Sequence, residues 1–348
     1  MGTLTKIGPE AIEHSYMMNV KYVLITLVIT ANMLEPVISR HAGAMAVYET
    51  IYTFHIPMFA FAMGYSAQDY RQEGRASKAL TAIAYQYIVF QSLYSLADAS
   101  LFHAPGVVYS FFMPYSLLWF LCSHFCWRLL LPLFSRMKYA LPTAVLLGVA
   151  AGYIPWEGGW VSLSRTFVFF PFFLAGFKAR NFPRWQAAAL RIRPFAVAAG
   201  FAVLAVFWLG PHIDPGWLYG SRTFAELGST QWYAGLQRLG IYVLEAAASI
   251  CFLACVPWSE GRLTGPGKRT LYVFLLQGFV IKAMLAAGLY DVIENERMAV
   301  PLLVAAAVLL ALGLSRPQIE RAGKRWIEPD FPALIAKLRT RFRTRTSV

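Results

Sequence analysis

Apolar residues run through this chain in long blocks, separated by short stretches that hold most of its charge, Pro and Gly. Ten blocks stand out, at roughly 20–38, 47–66, 79–99, 110–134, 140–154, 163–178, 194–211, 236–257, 270–290 and 298–315. A membrane-crossing helix needs about 20 predominantly apolar residues, so the pattern predicts about ten spans. The fifth and sixth blocks are short, which fits either tilted helices or one broken hairpin. Charge in the connections tests the count. Alternate connections hold thirteen basic residues: Arg71, Arg75, Lys78; Arg136, Lys138; Lys178, Arg180, Arg184, Arg191, Arg193; and Arg262, Lys268, Arg269. The remaining connections hold only Arg40, Arg222 and Arg297, amid Asp98, Glu157, Asp214, Glu226, Asp291, Glu294 and Glu296. Basic loops stay on the cytoplasmic side, so an even number of helices with both termini cytoplasmic is expected.

Composition agrees. Of 348 residues, 58% are hydrophobic and only 14% charged, where a soluble domain carries about 25% charged residues. A soluble enzyme, a nucleic-acid binder and a disordered chain are therefore disfavoured. The net charge of +13 belongs on loops that face anionic lipid, and no nucleic-acid partner is expected. The fold class is all-α: a polytopic integral membrane protein, expected as a multi-pass protein of the cell membrane, in the bacterial inner membrane. No cleavable signal peptide is visible, and the first span is expected to serve as the targeting signal.

Residues 1–315 read as one transmembrane domain and 316–348 as a basic cytoplasmic tail. Within the tail, Leu334, Ile335, Leu338 and Phe342 fall on one helical face among many Lys and Arg. That pattern suits an amphipathic helix on the anionic inner leaflet, with a regulatory partner site as the sharper alternative. The connection at 212–235 carries Trp217, Tyr219, Trp232 and Tyr233; it fits either a lid on the substrate side or an interfacial aromatic belt.

Four cysteines form two i,i+4 pairs, Cys122 with Cys126 and Cys251 with Cys255, in apolar surroundings. They read as packing residues, and no metal site is expected. Polar groups inside spans are costly and therefore mark function by default. Asn32 lies eleven residues beyond Lys21 in the first span, about 16 Å deeper along a helix. Glu35 lies one turn further, and His55 enters from the other side at comparable depth. Arg165 and Arg238 stand near outer span ends, so a polar cavity from mid-membrane to the outer face is expected. Gln86, Gln91, His124 and Glu245 read as structural, and Arg128 as a side chain reaching lipid phosphate.

The stretches Asn19-Val20-Lys21, Ala31-Asn32-Met33-Leu34-Glu35-Pro36 and Phe54-His55-Ile56-Pro57-Met58-Phe59 resemble the acyltransferase family 3 membrane proteins. The likeness is to their fucose 4-O-acetylase-like branch. It extends to Pro114-Tyr115, Leu118-Trp119-Phe120, Trp127-Arg128, Leu163-Ser164-Arg165-Thr166, Phe169-Phe170-Pro171-Phe172-Phe173 and Arg269-Thr270-Leu271-Tyr272. Together these cover roughly 16–290, and the Phe-His-x-Pro-x-Phe element is the most specific. The resemblance implies about ten helices and transfer of a short acyl group, usually acetyl, to hydroxyls of envelope glycans. It implies acyl-CoA (acetyl-CoA) as donor substrate and no bound cofactor. This chain departs from the family pattern at three positions: Asn32 and Gln277 replace histidines, and Met18 replaces an aspartate. Neither amide can serve as a general base.

On this basis the expected catalytic residues are His55 as base, Glu35 orienting it or acting as base itself, and Asn32 as an oxyanion donor. The expected substrate-binding residues are Lys21 at the donor phosphates, Arg165 and Arg238 at the acceptor glycan or glycolipid, and Trp119 and Gln277 beside them. The alternative is a catalytically silent relative that binds or translocates an acyl carrier or a lipid-linked glycan.

Overall fold

The computed structural model describes residues 9–103, 107, 109–155, 160–180, 191–210, 213–291, 293 and 296–329. The amphipathic stretch expected at 334–342, and Arg184 among the loop cations, lie outside the described residues. Among the described residues the chain is helical with no strand, and each of the ten apolar blocks carries helix. The principal helices are α1 (Pro9–Leu34), α2 (Ala42–Tyr52), α3 (His55–Ser66), α4 (Glu73–Ser100), α5 (Trp119–Phe134) and α6 (Ala140–Ala151). They continue as α7 (Leu163–Ala179), α8 (Arg193–Leu209), α9 (Ala234–Cys255), α10 (Thr270–Ala286), α11 (Glu296–Leu314) and α12 (Pro317–Ile327).

Among the described residues, four helical stretches are long and apolar enough to cross a membrane: Ile12–Val37, Ser116–Phe134, Trp160–Ala179 and Ala234–Cys255. A fifth is added if α11 and α12, bent by 67° at their junction, are counted as one. The helices α6, α8 and α10 are apolar but shorter. These apolar helices make the chain a membrane protein that is all-helical among the described residues.

The second apolar block is not one helix, as its pattern predicted, but two. Pro57 sits in the first turn of α3, where its missing N–H leaves no helical bond to offer the carbonyl of Thr53. At the break the carbonyl of Ile51 accepts the backbone N–H of Phe54 at 3.2 Å, and α3 restarts with Met58 N–H on Phe54 O at 2.9 Å. The short fifth and sixth blocks form two separate helices, α6 and α7, that pack against each other.

Helix α1 is the hub. Its buried side chains feed one apolar cluster shared with α2, α10 and α11, and a second shared with α3 and the end of α9. A third cluster joins α3, α5, α6 and α7. The contact of α3 with α7 is set by two glycines. A Cβ on Gly64 would lie 1.8 Å from the carbonyl oxygen of Phe173, and one on Gly176 would lie 2.0 Å from that of Phe61. Reciprocal glycines let the two backbones touch, the small-residue packing that holds helices together in lipid.

Candidate functional site

A cavity of about 670 Å³ runs between α1 and the ends of α2, α3, α4, α5, α7 and α10. Along α1 and the 3-10 turn Glu35–Val37 that continues it, the lining is His14, Met18, Lys21, Val28, Asn32 and Glu35. Their steps of three, four and seven keep them on one helical face. From His14 to Glu35 that face is about 31 Å long, close to the thickness of a bilayer's hydrocarbon core. The cavity is therefore longer than the half-depth pocket expected from sequence, and it has two chemically different ends.

At one end Lys21 Nζ donates to Ser66 Oγ at 3.0 Å, while His124, Lys268 and Thr270 complete the lining. His124 sits between two cations: Arg128 Nε donates to His124 Nε2 at 3.4 Å, and Lys21 lies within electrostatic reach. Arg128 thus turns inward to a histidine. The loop carrying Lys268 is tied to α1 by Asn19, whose Nδ2 donates to Pro257 O at 2.9 Å and Ser259 O at 3.0 Å. Thr264 Oγ1 returns a bond to Asn19 Oδ1 at 2.8 Å. Gly267 completes this seat, since a Cβ there would lie 2.1 Å from Met18 O.

The middle of the cavity is apolar, with Val28, Phe59, Met63, Phe120 and Phe274 on its walls. At the other end polar groups converge again. His55 opens α3, is buried, and its Nδ1 lies 2.8 Å from Ile51 O, the carbonyl at the helix break that also accepts the Phe54 N–H. A carbonyl can only accept, so Nδ1 carries the proton and Nε2 is left with a lone pair. Glu35 was expected to orient His55; the backbone carbonyl of Ile51 does so. Asn32 Nδ2 donates to Gln277 Oε1 at 3.3 Å, which puts buried Gln277 behind Asn32.

Around them stand Arg165, Trp119, Tyr48, Tyr52 and Tyr219. The Arg165 guanidinium lies 4.7 Å from the Trp119 ring, and its buried Nε has no hydrogen-bond partner among the described residues. Glu35 is within electrostatic reach of Arg165. Tyr52 packs edge-on to His55 at 4.5 Å and to Tyr219 at 4.9 Å, and the hydroxyls of Tyr48 and Tyr219 are 2.8 Å apart. The expected residues His55, Glu35, Asn32, Lys21, Arg165 and Trp119 therefore line one cavity, with Gln277 directly behind.

Arg238 is placed elsewhere. It is buried outside the cavity lining, donates through Nη1 to Trp217 O at 2.6 Å, and lies within electrostatic reach of Glu245. Its guanidinium stacks over Trp217 at 5.5 Å, which fixes the one-turn helix Gly216–Tyr219 and hence Tyr219 over the cavity. Ser164 Oγ, donating to Gly220 O at 2.8 Å, ties down the other side of Tyr219. The aromatic connection is split in use: Tyr219 faces the cavity, while Trp232 is 84% exposed.

Sequence reading missed Tyr48 and Tyr52, named Tyr219 only as part of the aromatic connection, and placed His124 and Gln86, both on the lining, among structural residues. One signal was present: Tyr48, Tyr52 and His55 recur at the helical period. The cysteines are free thiols, and no cluster of three metal-ligating side chains occurs among the described residues. Comparison with protein-family models, with curated proteins and with solved structures finds no match.

Proposed function

We propose that this protein is a membrane O-acyltransferase that carries an acyl group, acetyl in the simplest case, from a cytoplasmic acyl-CoA to a hydroxyl of an extracytoplasmic saccharide or glycolipid. The observation that carries this reading is the single cavity with Lys21 at one end and His55, Asn32 and Arg165 at the other. The resemblance to acyltransferase family 3 proteins supports it. In this reading the chain crosses the bacterial inner membrane ten times with both termini in the cytoplasm, so the Lys21 end opens to the donor.

The chemistry follows from the atoms available. Lys21 and Lys268 receive the donor's phosphates, and its thioester arm lies along the apolar middle. His55 Nε2 takes the proton of the acceptor hydroxyl, and the resulting oxygen nucleophile attacks the thioester carbonyl. Asn32 has a second N–H beyond the one given to Gln277 and donates it to the tetrahedral oxyanion. The C–S bond then breaks, and the thiolate leaves with the proton held by His55. Glu35, Arg165 and the tyrosines hold the acceptor through its other oxygens.

The amide pair Asn32–Gln277, standing where the resembled family has histidines, favours a second reading: a silent relative that binds or translocates an acyl carrier or lipid-linked glycan. One experiment separates the two. Purified full-length protein in detergent is given radiolabelled acetyl-CoA and a panel of glycan acceptors. Label transfer by the unaltered protein is expected. Binding of both substrates without transfer, with transfer gained by Asn32→His, would overturn the enzyme and identify Asn32 as the lesion.

A further inference from the structure

The helix α12 has two unlike faces. Ile319, Glu320, Gly323 and Ile327 turn inward: Ile327 is buried, and a Cβ on Gly323 would lie 3.3 Å from the Tyr272 ring. Arg321, Lys324 and Arg325 recur at the helical period on the opposite face and are exposed, next to Trp326 at 73% exposure. The helix leaves apolar α11 at a 67° bend, which is how a chain emerging from a bilayer comes to lie along its surface. Three cations beside an exposed indole at that level match an anionic headgroup in charge and the lipid interface in polarity.

The inward face is bolted to the cavity's Lys21 end by three polar contacts. Glu320 accepts from Arg269 Nε at 2.7 Å, and Arg269 sits between Lys268 and Thr270, both on the cavity wall. Gln86, also on that wall, donates through Nε2 to Ile327 O at 3.0 Å. Tyr272 donates to Glu328 at 2.7 Å.

We propose that the Arg321–Lys324–Arg325 face of α12 is a binding site for an anionic phospholipid headgroup, and that the bound lipid steadies the Lys21 end of the cavity through the Arg269–Glu320 and Gln86–Ile327 contacts. This holds whether or not the cavity performs acyl transfer, and its test reads no activity. Full-length protein is exchanged into nanodiscs of phosphatidylcholine alone or with phosphatidylglycerol, and lipids retained after release are counted by native mass spectrometry. Hydrogen exchange is followed over 263–272 and 317–327.

Unaltered protein should retain phosphatidylglycerol over phosphatidylcholine by at least about tenfold. Both segments should exchange more slowly in phosphatidylglycerol. The triple variant Arg321→Glu, Lys324→Glu, Arg325→Glu, altered only on the exposed face, should lose both effects. Glu320→Gln should keep the lipid preference and lose the slowing at 263–272. Equal retention of the two lipids by unaltered protein, or a preference that survives charge reversal, overturns the lipid site. Slowing confined to 317–327 overturns the coupling.

Discussion

At the scale of single residues the site depends on what fixes each polar atom. His55 owes its tautomer to the Ile51 carbonyl, so Nε2 is an acceptor before any substrate arrives. If it is the base, His55→Ala should lower acyl transfer by roughly 10² to 10⁴ with insertion and substrate binding preserved. A turnover assay paired with donor binding reads both, and unchanged turnover would remove His55 from the mechanism. Arg238 behaves differently, because it is buried outside the cavity and holds Trp217, and with it the turn that carries Tyr219. Arg238→Met should destabilise the protein by about 1–3 kcal/mol, as read by thermal unfolding in detergent, because the Trp217 carbonyl loses its donor. Residue type and depth were enough to single out Lys21, Asn32, Glu35, His55 and Arg165. Depth alone misassigned Arg238: an arginine near the end of a span looks the same in sequence whether it faces a cavity or a loop carbonyl.

At the scale of helices, hydrophobic periodicity located every block but not the break inside the second. No Gly or Pro interrupts the block at Thr53 and Phe54, and only Pro57 marks the break, three positions after it takes effect. That displacement is physical, since proline disrupts the bond to the preceding turn and not its own position. The break places His55 at a helix start, so an element-level irregularity creates the residue-level geometry. The α3–α7 contact holds this arrangement. Gly64→Ala puts a methyl group against the Phe173 backbone, which cannot swing aside as a side chain can. It should cost at least the 1–3 kcal/mol typical of overpacking, and Gly176→Ala should act alike. Gly200 on α8, where a Cβ meets nothing within 4 Å, is the control, and Gly200→Ala should leave the unfolding temperature unlowered.

For the whole molecule, the decisive matter is which way the cavity faces. Its two ends are carried by different connections: Tyr219 belongs to the aromatic stretch before α9, and Lys268 to the basic stretch after it. Helix α9 has 22 residues, about 33 Å of rise, so a single crossing by α9 puts those connections on opposite sides of the membrane. In the proposed orientation the cations Arg262, Lys268 and Arg269 put the second connection in the cytoplasm. Reporter fusions test this directly. Fusions after residues 75, 188 and 264 should read cytoplasmic, and those after 104 and 225 should read outside. The pair at 225 and 264 carries the most weight, because it brackets α9 and reports the two ends of the cavity. Opposite signals would let a donor and an acceptor meet at His55 from separate compartments. A cytoplasmic signal at 225 would put both ends on one side, and transfer across the membrane through this cavity would then be excluded.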